Sequence, residues 1–147
     1  MSYKRILVAV DGSPTSNKAL AAALALARES SGRVRMLHSL DELAYVTGFE
    51  YSGNLIEIAR ESAEKVLADA AEMAKAAGVE ADTKLIDFPG VRLGETVAQE
   101  AKAFEADLVV VGTHGRRGFS RALLGSGAES IIRLAPAPVL VIRGDAE

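Results

Sequence analysis

The chain has 147 residues, of which 49% are hydrophobic and 25% are charged, and its formal net charge at pH 7 is −3. A chain of this composition is expected to fold as one domain over residues 1–147, and its lack of cysteine excludes disulfides, thiol catalysis and Cys-ligated zinc. The acidic balance argues against general binding to nucleic acid or anionic membranes, and because no apolar run reaches the ~18 residues of a membrane span, we expect a soluble, cytosolic protein.

The first part of the chain alternates apolar and amphipathic segments. Residues Ile6–Val10 are apolar at every position, which is typical of a strand buried on both faces of a parallel sheet. Ser13 and Pro14 then predict a helix start, since serine is a common capping residue and proline suits the first helical position. Alanines and leucines at helical spacing follow, and Ser30–Gly32 is predicted to end this helix. Val34–Leu40 is predicted to be the second strand.

The rest of the chain repeats this alternation after a predicted loop at residues 41–54. Apolar residues at helical spacing predict a long helix over Ile56–Ala77, stopped by Gly78. Further strands are then predicted at Ala81–Phe88, at Leu108–Val111, where the strand is buried, and at Val139–Ile142. Further helices are predicted at Leu93–Phe104 and in a segment that begins at Ser126 and is closed by Pro136. This order predicts an α/β fold with an open parallel sheet and helices on both of its faces.

Glycines are concentrated after the predicted fourth strand, at the end of a sheet where ligands bind. Gly112 is followed by Gly115 after two residues, and by Gly125 and Ser126 after nine more. Glycine backbone can approach phosphate oxygens closely, and the N–H groups at a helix start favour an anion. Ser126 and Glu129 form a capping-box pattern, so Ser126 is expected to cap the helix and to donate its hydroxyl to a phosphate. The alternative is that these glycines only form turns.

Taken together, several of these segments resemble the universal stress protein family. The resemblance rests on Lys4–Ser13, Gly112–Arg116, Leu124–Ser126 and Pro138–Ile142, and it covers essentially the whole chain in order. It implies a Rossmann-like, adenine nucleotide α-hydrolase-like fold with a five-stranded parallel sheet of order 3-2-1-4-5, and a homodimer. Members of this family that bind ATP keep the glycine array, so the resemblance also implies an adenine-nucleotide pocket.

Carried over to this sequence, the resemblance implies a set of ligand-binding residues. They are Ala9, Val10, Asp11, Ser13, Ser39, Val111, Gly112, Thr113, His114, Gly115, Arg116, Gly125, Ser126 and Gly127. Asp11 would accept hydrogen bonds from the nucleoside or hold a metal-bound water, and stabilisation of a helix start is its alternative role. Ser39 and Gly127 stand where the family often has valine, which removes apolar contact from the adenosine pocket.

The two histidines and the arginines after the fourth strand have more than one interpretation. His114 would contact a phosphate or the backbone of its own loop, whereas His38, at the end of a strand, is interpreted as a hydrogen-bonded core histidine. The arginines would either face the ligand or form a solvated rim; they are Arg116, Arg117 and Arg121. With two histidines and no cysteine, a His-based metal site is not expected.

Three functions follow from these observations. The first is a stress-response protein that binds ATP, or AMP or ADP instead, as a regulatory ligand, with Mg²⁺ or Mn²⁺ on the phosphates. No catalytic residue is assigned, so at most slow hydrolysis or autophosphorylation is expected. The second is a metal-dependent nucleotide hydrolase or nucleotidyl transferase that uses Asp11. The third is a dimeric interaction module with an empty pocket.

The last predicted strand, Val139–Ile142, has consequences for assembly. It is apolar throughout and would lie at an edge of the sheet, where unpaired backbone groups favour pairing with another strand. We therefore expect a homodimer through this strand, with protein clients as further partners.

Overall fold

The computed structural model describes residues 2–39, 53–86, 93–113 and 126–144. Within these ranges the chain forms five strands, namely β1 Arg5–Ala9, β2 Arg33–Ser39, β3 Glu80–Ile86, β4 Leu108–Gly112 and β5 Val139–Ile142. It also forms four helices, namely α1 Pro14–Ser30, α2 Gly53–Ala77, α3 Leu93–Phe104 and α4 Ser126–Leu134. The predicted alternation of strands and helices is therefore confirmed.

Small differences from the predicted bounds occur at the ends of the elements. The strands β1, β2 and β3 each begin one residue earlier than predicted. Residues 53 and 54, predicted as the end of a loop, already belong to α2, because the helix begins before Ile56, the first clearly periodic apolar residue. The rest of that loop, the predicted end of β2 at Leu40 and the predicted end of β3 at residues 87–88 lie outside the described residues.

The strands form one parallel sheet in the order β3-β2-β1-β4-β5. This is the order implied by the family resemblance. β1 pairs with β2 on one side and with β4 on the other, so the winding of the chain reverses between β1 and β4. In open parallel sheets, the crevice at the carboxyl ends of the strands beside such a reversal is where ligands bind.

Apolar layers cover both faces of the sheet. On one face, α1 and α2 enclose side chains that include Ile6, Val8, Leu20, Val34, Met36 and Leu67. On the other face, α3 and α4 enclose side chains that include Leu7, Leu37, Val97, Phe104, Val109 and Ile131. Because successive side chains of a strand point to opposite faces, double coverage requires β1 to be apolar along its length. None of the helices in the described ranges is long and apolar enough to cross a membrane.

The start and end of α1 have the predicted geometry. Ser13 is the capping residue, and its Oγ accepts a hydrogen bond from the N–H of Ser16 at 3.2 Å, while Pro14 is the first helical residue. At the other end, Ser31 adopts a left-handed φ of 57° and the N–H of Gly32 donates to the Ala27 carbonyl at 2.8 Å. These caps satisfy backbone groups that the helix leaves unpaired and place its N-terminus beside the carboxyl ends of β1 and β4.

Candidate functional site

A cavity of about 240 Å³ lies at the carboxyl ends of β1, β2 and β4. Its walls come from the ends of these strands, from the turn that enters α1 and from α4. The lining residues are Ala9, Val10, Asp11, Ser13, Ser16, Leu37, His38, Ser39, Val111, Gly112, Thr113, Ala128 and Ile131. The cavity therefore occupies the crevice that the reversal of strand order creates.

Many of the residues that the sequence singled out meet at this cavity. Those that line it are Ala9, Val10, Asp11, Ser13, Ser39, Val111, Gly112 and Thr113. The remainder of the glycine and arginine loop, residues 114–125, lies outside the described residues; His114, Gly115, Arg116, Arg117, Arg121 and Gly125 belong to it. The structure thus brings together the two strand ends that the prediction rests on.

The start of α4 differs from the prediction in one respect. Ser126 is the first helical residue, so the position that precedes the helix falls on residue 125, which is outside the described residues. Ser126 and Gly127 form the first turn of α4, and the same helix reaches the cavity through Ala128 and Ile131.

Some lining residues were not predicted from the sequence. They are Ser16, Leu37, His38, Ala128 and Ile131. Leu37, Ala128 and Ile131 are buried apolar residues, and their helical or strand spacing marks them as core rather than as cavity wall. Ser16 had a usable signal, since it is the third residue after the capping Ser13, the position whose N–H a cap usually binds.

The turn between β1 and α1 is held by a short chain of hydrogen bonds. The N–H of Asp11 donates to Ser16 Oγ at 2.9 Å, and the N–H of Ser13 donates to Asp11 Oδ1 at 2.9 Å. Between them, Gly12 has a φ of +83°, a conformation that glycine adopts without strain. Asp11 is exposed, and its Oδ1 accepts the hydrogen bond from the Ser13 N–H, while its Oδ2 has no hydrogen-bond partner among the described residues.

The residue that leads into this turn, Val10, is bonded through both of its backbone groups. Its N–H donates to the Leu37 carbonyl at 2.8 Å, and its carbonyl lies 2.7 Å from Nδ1 of His38. The interpretation of His38 as a hydrogen-bonded histidine is confirmed. Its ring is half-buried and lines the cavity, however, instead of lying within the core.

The end of β4 contributes Gly112 and Thr113. A Cβ atom on Gly112 would lie 2.8 Å from Cγ2 of Thr15, so glycine allows the start of α1 to pack closely against β4. The Oγ1 of Thr113 accepts a hydrogen bond from the N–H of Gly144 at 2.9 Å, which ties the segment after β5 to the cavity wall. Gly112 therefore has a packing role besides the phosphate role predicted for it.

The chemistry of the lining is that of a binding site with an apolar floor and a polar rim. Leu37, Val111 and Ile131 supply apolar surface, whereas Asp11 and Ser39 supply oxygen atoms. The hydrogen bonds of the lining hydroxyl groups in the described part of the chain run to backbone N–H groups. Within the described ranges, no three His, Asp or Glu side chains lie close enough together to hold a metal ion.

The resolved pKa shifts in the described ranges lie away from the cavity, on β2 and β3. A bidentate hydrogen bond from Arg35, with N–O distances of 2.9 and 3.0 Å, lowers the pKa of Asp82 and raises that of Arg35. This pair stabilises the sheet and makes no contact with the cavity lining.

Comparison with known proteins shows similarity along nearly the whole chain. The model of the universal stress protein family matches residues 2–143. A universal stress protein of Methanocaldococcus jannaschii is 35% identical over 144 residues, which are 96% of this chain and 82% of the relative. A solved structure of a universal stress protein family member from Burkholderia pseudomallei is 32% identical, with a TM-score of 0.75 over 95% of this chain and 96% of that one. The universal stress protein of Archaeoglobus fulgidus in complex with dAMP is 26% identical, with a TM-score of 0.71 over 97% of this chain and 99% of that one.

Proposed function

Because the chain belongs to the universal stress protein family, we propose that it is a stress-response protein whose cavity binds ATP or another adenine nucleotide as a regulatory ligand. The observation that carries the proposal is the cavity at the reversal of strand order, which is lined by residues from both predicted strand ends. The dAMP complex of the related Archaeoglobus fulgidus protein supports an adenine nucleotide as the ligand class.

The nucleoside fits the part of the cavity that the described residues enclose. Ala9, Val10 and Val111 would offer apolar surface to an adenine ring, and the second carboxylate oxygen of Asp11 would accept a hydrogen bond from a ribose hydroxyl. Ligand pockets usually measure about 300–1,000 Å³, so a cavity of about 240 Å³ suits part of a nucleotide better than all of it. The phosphates would then extend toward the start of α4, whose N-terminal N–H groups favour an anion, and the sequence predicts that the glycine array of residues 114–125 binds them as well.

A divalent cation would enter with the phosphates. Mg²⁺ or Mn²⁺ bound by phosphate oxygens neutralises part of their charge, and such ions often keep several waters. Asp11, which is exposed at the cavity, would hold one of these waters through its free carboxylate oxygen.

Isothermal titration with ATP and with adenosine tests the proposed ligand. We expect ATP to bind at least tenfold more tightly than adenosine, because the phosphates add contacts that adenosine lacks. A Ser39→Val variant is the matched probe of the base end, since it restores apolar contact there. This variant should raise the affinity for ATP and for adenosine by the same factor, roughly two- to tenfold for added apolar area of this size. Equal affinities of ATP and adenosine would contradict the phosphate site, and binding of neither would contradict the proposed function.

A turnover assay separates regulation from catalysis. We expect at most slow formation of ADP or phosphoprotein over hours, because the described lining hydroxyls bind backbone groups instead of a catalytic base. Rapid turnover that an Asp11→Ala variant abolishes would favour the metal-dependent hydrolase or transferase instead.

We also propose that the protein acts as a homodimer joined through β5. Its four residues are half-buried and apolar, and one side of the strand has no partner among the strands that the structure describes. Among the described residues, the large hydrophobic side chains that are exposed are Ile58, Ile132 and Leu134, two of them on the helix that precedes β5. A second copy of this edge would cover apolar surface that a monomer leaves in water.

A further inference from the structure

The side chain of His38 completes the bonding of β1 at the point where the chain leaves the sheet. The register between β1 and β2 runs as far as the pair Ala9 and Leu37, and one further backbone bond joins the Val10 N–H to the Leu37 carbonyl. At the Val10 carbonyl, Nδ1 of the His38 ring is the partner, at 2.7 Å. The imidazole of His38 therefore binds the Val10 carbonyl, a backbone acceptor at the end of the strand pair.

The acceptor determines which nitrogen of the His38 ring carries the proton. A carbonyl oxygen can only accept a hydrogen bond, so the proton must be on Nδ1 of His38. The other nitrogen, Nε2, is then an acceptor in the neutral ring. Two roles at the cavity follow from this: Nδ1 positions the backbone, or Nε2 contacts the ligand directly.

The backbone that Nδ1 holds is the one that presents Asp11. The Val10 carbonyl belongs to the peptide group whose nitrogen is the Asp11 N–H, and that N–H donates to Ser16 Oγ. One peptide plane is thus held at both ends, by β2 through His38 and by α1 through Ser16. Because the peptide group is planar, fixing its oxygen and its N–H leaves it little freedom to rotate.

We propose that His38 is a positioning residue of the cavity, which fixes the Val10–Asp11 peptide and thereby the direction in which Asp11 meets the ligand. This inference rests on the proposed function, because it concerns how the same cavity holds a nucleoside. From its position on β2 alone, His38 would be assigned only a structural role.

Three substitutions separate positioning from direct contact. His38→Asn keeps an amide N–H at the distance of Nδ1 along the side chain, His38→Gln places its amide at the distance of Nε2, and His38→Phe keeps a ring without either nitrogen. We expect His38→Phe and His38→Gln to lower the affinity for ATP and for adenosine by the same factor, roughly fivefold to tenfold, which is the effect of one lost hydrogen bond. His38→Asn should rescue most of that loss. If His38→Gln binds like the wild type and His38→Asn does not, the ligand contacts Nε2 and the proposal is wrong.

Amide hydrogen exchange in the nucleotide-free protein gives a readout that does not depend on the proposed function. We expect the Asp11 and Ser13 amides to exchange faster in His38→Phe than in the wild type, and at the wild-type rate in His38→Asn. Unchanged exchange in His38→Phe would overturn the proposal, as would faster exchange with unchanged nucleotide affinity. If the wild type binds no adenine nucleotide, the proposed function fails and, with it, the ligand part of this inference.

A thermal melt of each variant excludes a general loss of folding. Should His38→Phe fail to fold, the comparison of His38→Asn with His38→Gln decides the question. Equal binding and equal exchange in these two variants would overturn the positioning role, since they differ in where the donor lies.

Discussion

Two glycines with left-handed backbone conformations show how single residues set turns: Gly12 lies in the turn beside the cavity, and Gly78 follows the end of α2. Gly12 has a φ of +83° and Gly78 a φ of +73°, and both angles are strained for a residue with a Cβ. A Cβ on Gly12 would lie 3.3 Å from Cγ2 of Val66, whereas a Cβ on Gly78 would meet no atom within 4 Å in the described part of the chain. Gly78 therefore isolates the conformational cost, and Gly12 adds a close contact to it.

We expect Gly78→Ala to lower the free energy of unfolding by about 1 kcal/mol, and Gly12→Ala to lower it by more. Only Gly12→Ala should also weaken nucleotide binding, because Gly12 directly follows Asp11 in the turn. Urea unfolding and nucleotide titration of both variants provide the measurements. Equal losses of stability with unchanged binding would show that the turn tolerates a side chain at Gly12.

Thr96, on α3, is a second residue whose environment predicts a change in stability. It is 4% exposed, and its Oγ1 is a buried side-chain oxygen without a hydrogen-bond partner among the described residues. Thr96→Val replaces the hydroxyl with a methyl group of similar shape, so we expect it to raise the free energy of unfolding by about 1 kcal/mol. Thr96→Ser keeps the hydroxyl and removes the methyl group, and should lower stability. A Thr96→Val variant less stable than the wild type would mean that the hydroxyl has a partner in solution.

At the scale of elements, β2 and β3 are joined by charge pairs as well as by backbone bonds. Arg33 faces Glu80 and Arg35 faces Asp82 in the register, and each pair forms an ion pair. Glu100, on α3, extends this group of ion pairs: its Oε1 lies 3.9 Å from Nη1 of Arg35, and its Oε2 lies 3.8 Å from Nζ of Lys84. The Arg35 guanidinium also lies 4.6 Å from the centre of the Phe104 ring. Charged residues along this edge of the sheet also oppose pairing with another strand.

The pair of Arg35 and Asp82 predicts a pH-dependent stability. The hydrogen bond from Arg35 lowers the pKa of Asp82 below its ordinary value of 3.8. The Asp82 carboxylate is therefore protonated more readily in the unfolded chain than in the folded one. The stabilisation is therefore complete above pH about 4 and is lost as the pH falls through the lowered pKa. Since the Asp82 side chain is 54% exposed, we expect Asp82→Asn to cost no more than about 0.5 kcal/mol at neutral pH.

Unfolding at several pH values tests this expectation. The difference between Asp82→Asn and the wild type should disappear at acid pH, where the wild-type carboxylate is also neutral. Asp69→Asn is the control, because it removes the same charge from the exposed pair with Lys65 on α2. A difference for Asp82→Asn that persists unchanged at acid pH would show that the effect is not electrostatic.

For the whole molecule, the two edges of the sheet are chemically opposite, and this predicts its assembly. β3 exposes charged residues, whereas β5 consists of the half-buried apolar residues Val139–Ile142. Leu140 packs toward the layer of α1 and α2, and Val141 toward the layer of α3 and α4. An apolar edge with free backbone groups favours antiparallel pairing with the same edge of a second copy.

We therefore expect the wild type to sediment as a dimer at micromolar concentration, and Leu140→Lys, Val141→Lys or both to shift it toward the monomer. Thr83→Lys places the same charge on the exposed opposite edge and should leave the dimer intact. Thermal melts show whether a lysine on β5 has also disturbed the monomer core. A wild-type monomer under these conditions would contradict the proposed assembly.

The sequence by itself determined the features that depend on neighbours along the chain. The apolar run in β1, the cap at Ser13 with Pro14 after it, and the stop at Gly78 follow from local spacing and backbone preference, and each is present in the structure. The strand order needed more than local pattern and came from the family resemblance. The strand ends at Asp11 and Gly112 also pointed to the crevice, because parallel strands place their carboxyl ends at one edge of the sheet.

Only the tertiary structure decided which side chains share the cavity and what each one holds. Ile131 and Leu37 have the spacing of core residues, and only the fold brings these residues of α4 and β2 together at the cavity. Likewise, 28 positions separate His38 from the Val10 carbonyl that it binds. Such contacts depend on the register of β1 against β2 and on the placement of helices over the sheet. The burial of many distant residues sets both together, so no local stretch of sequence specifies them.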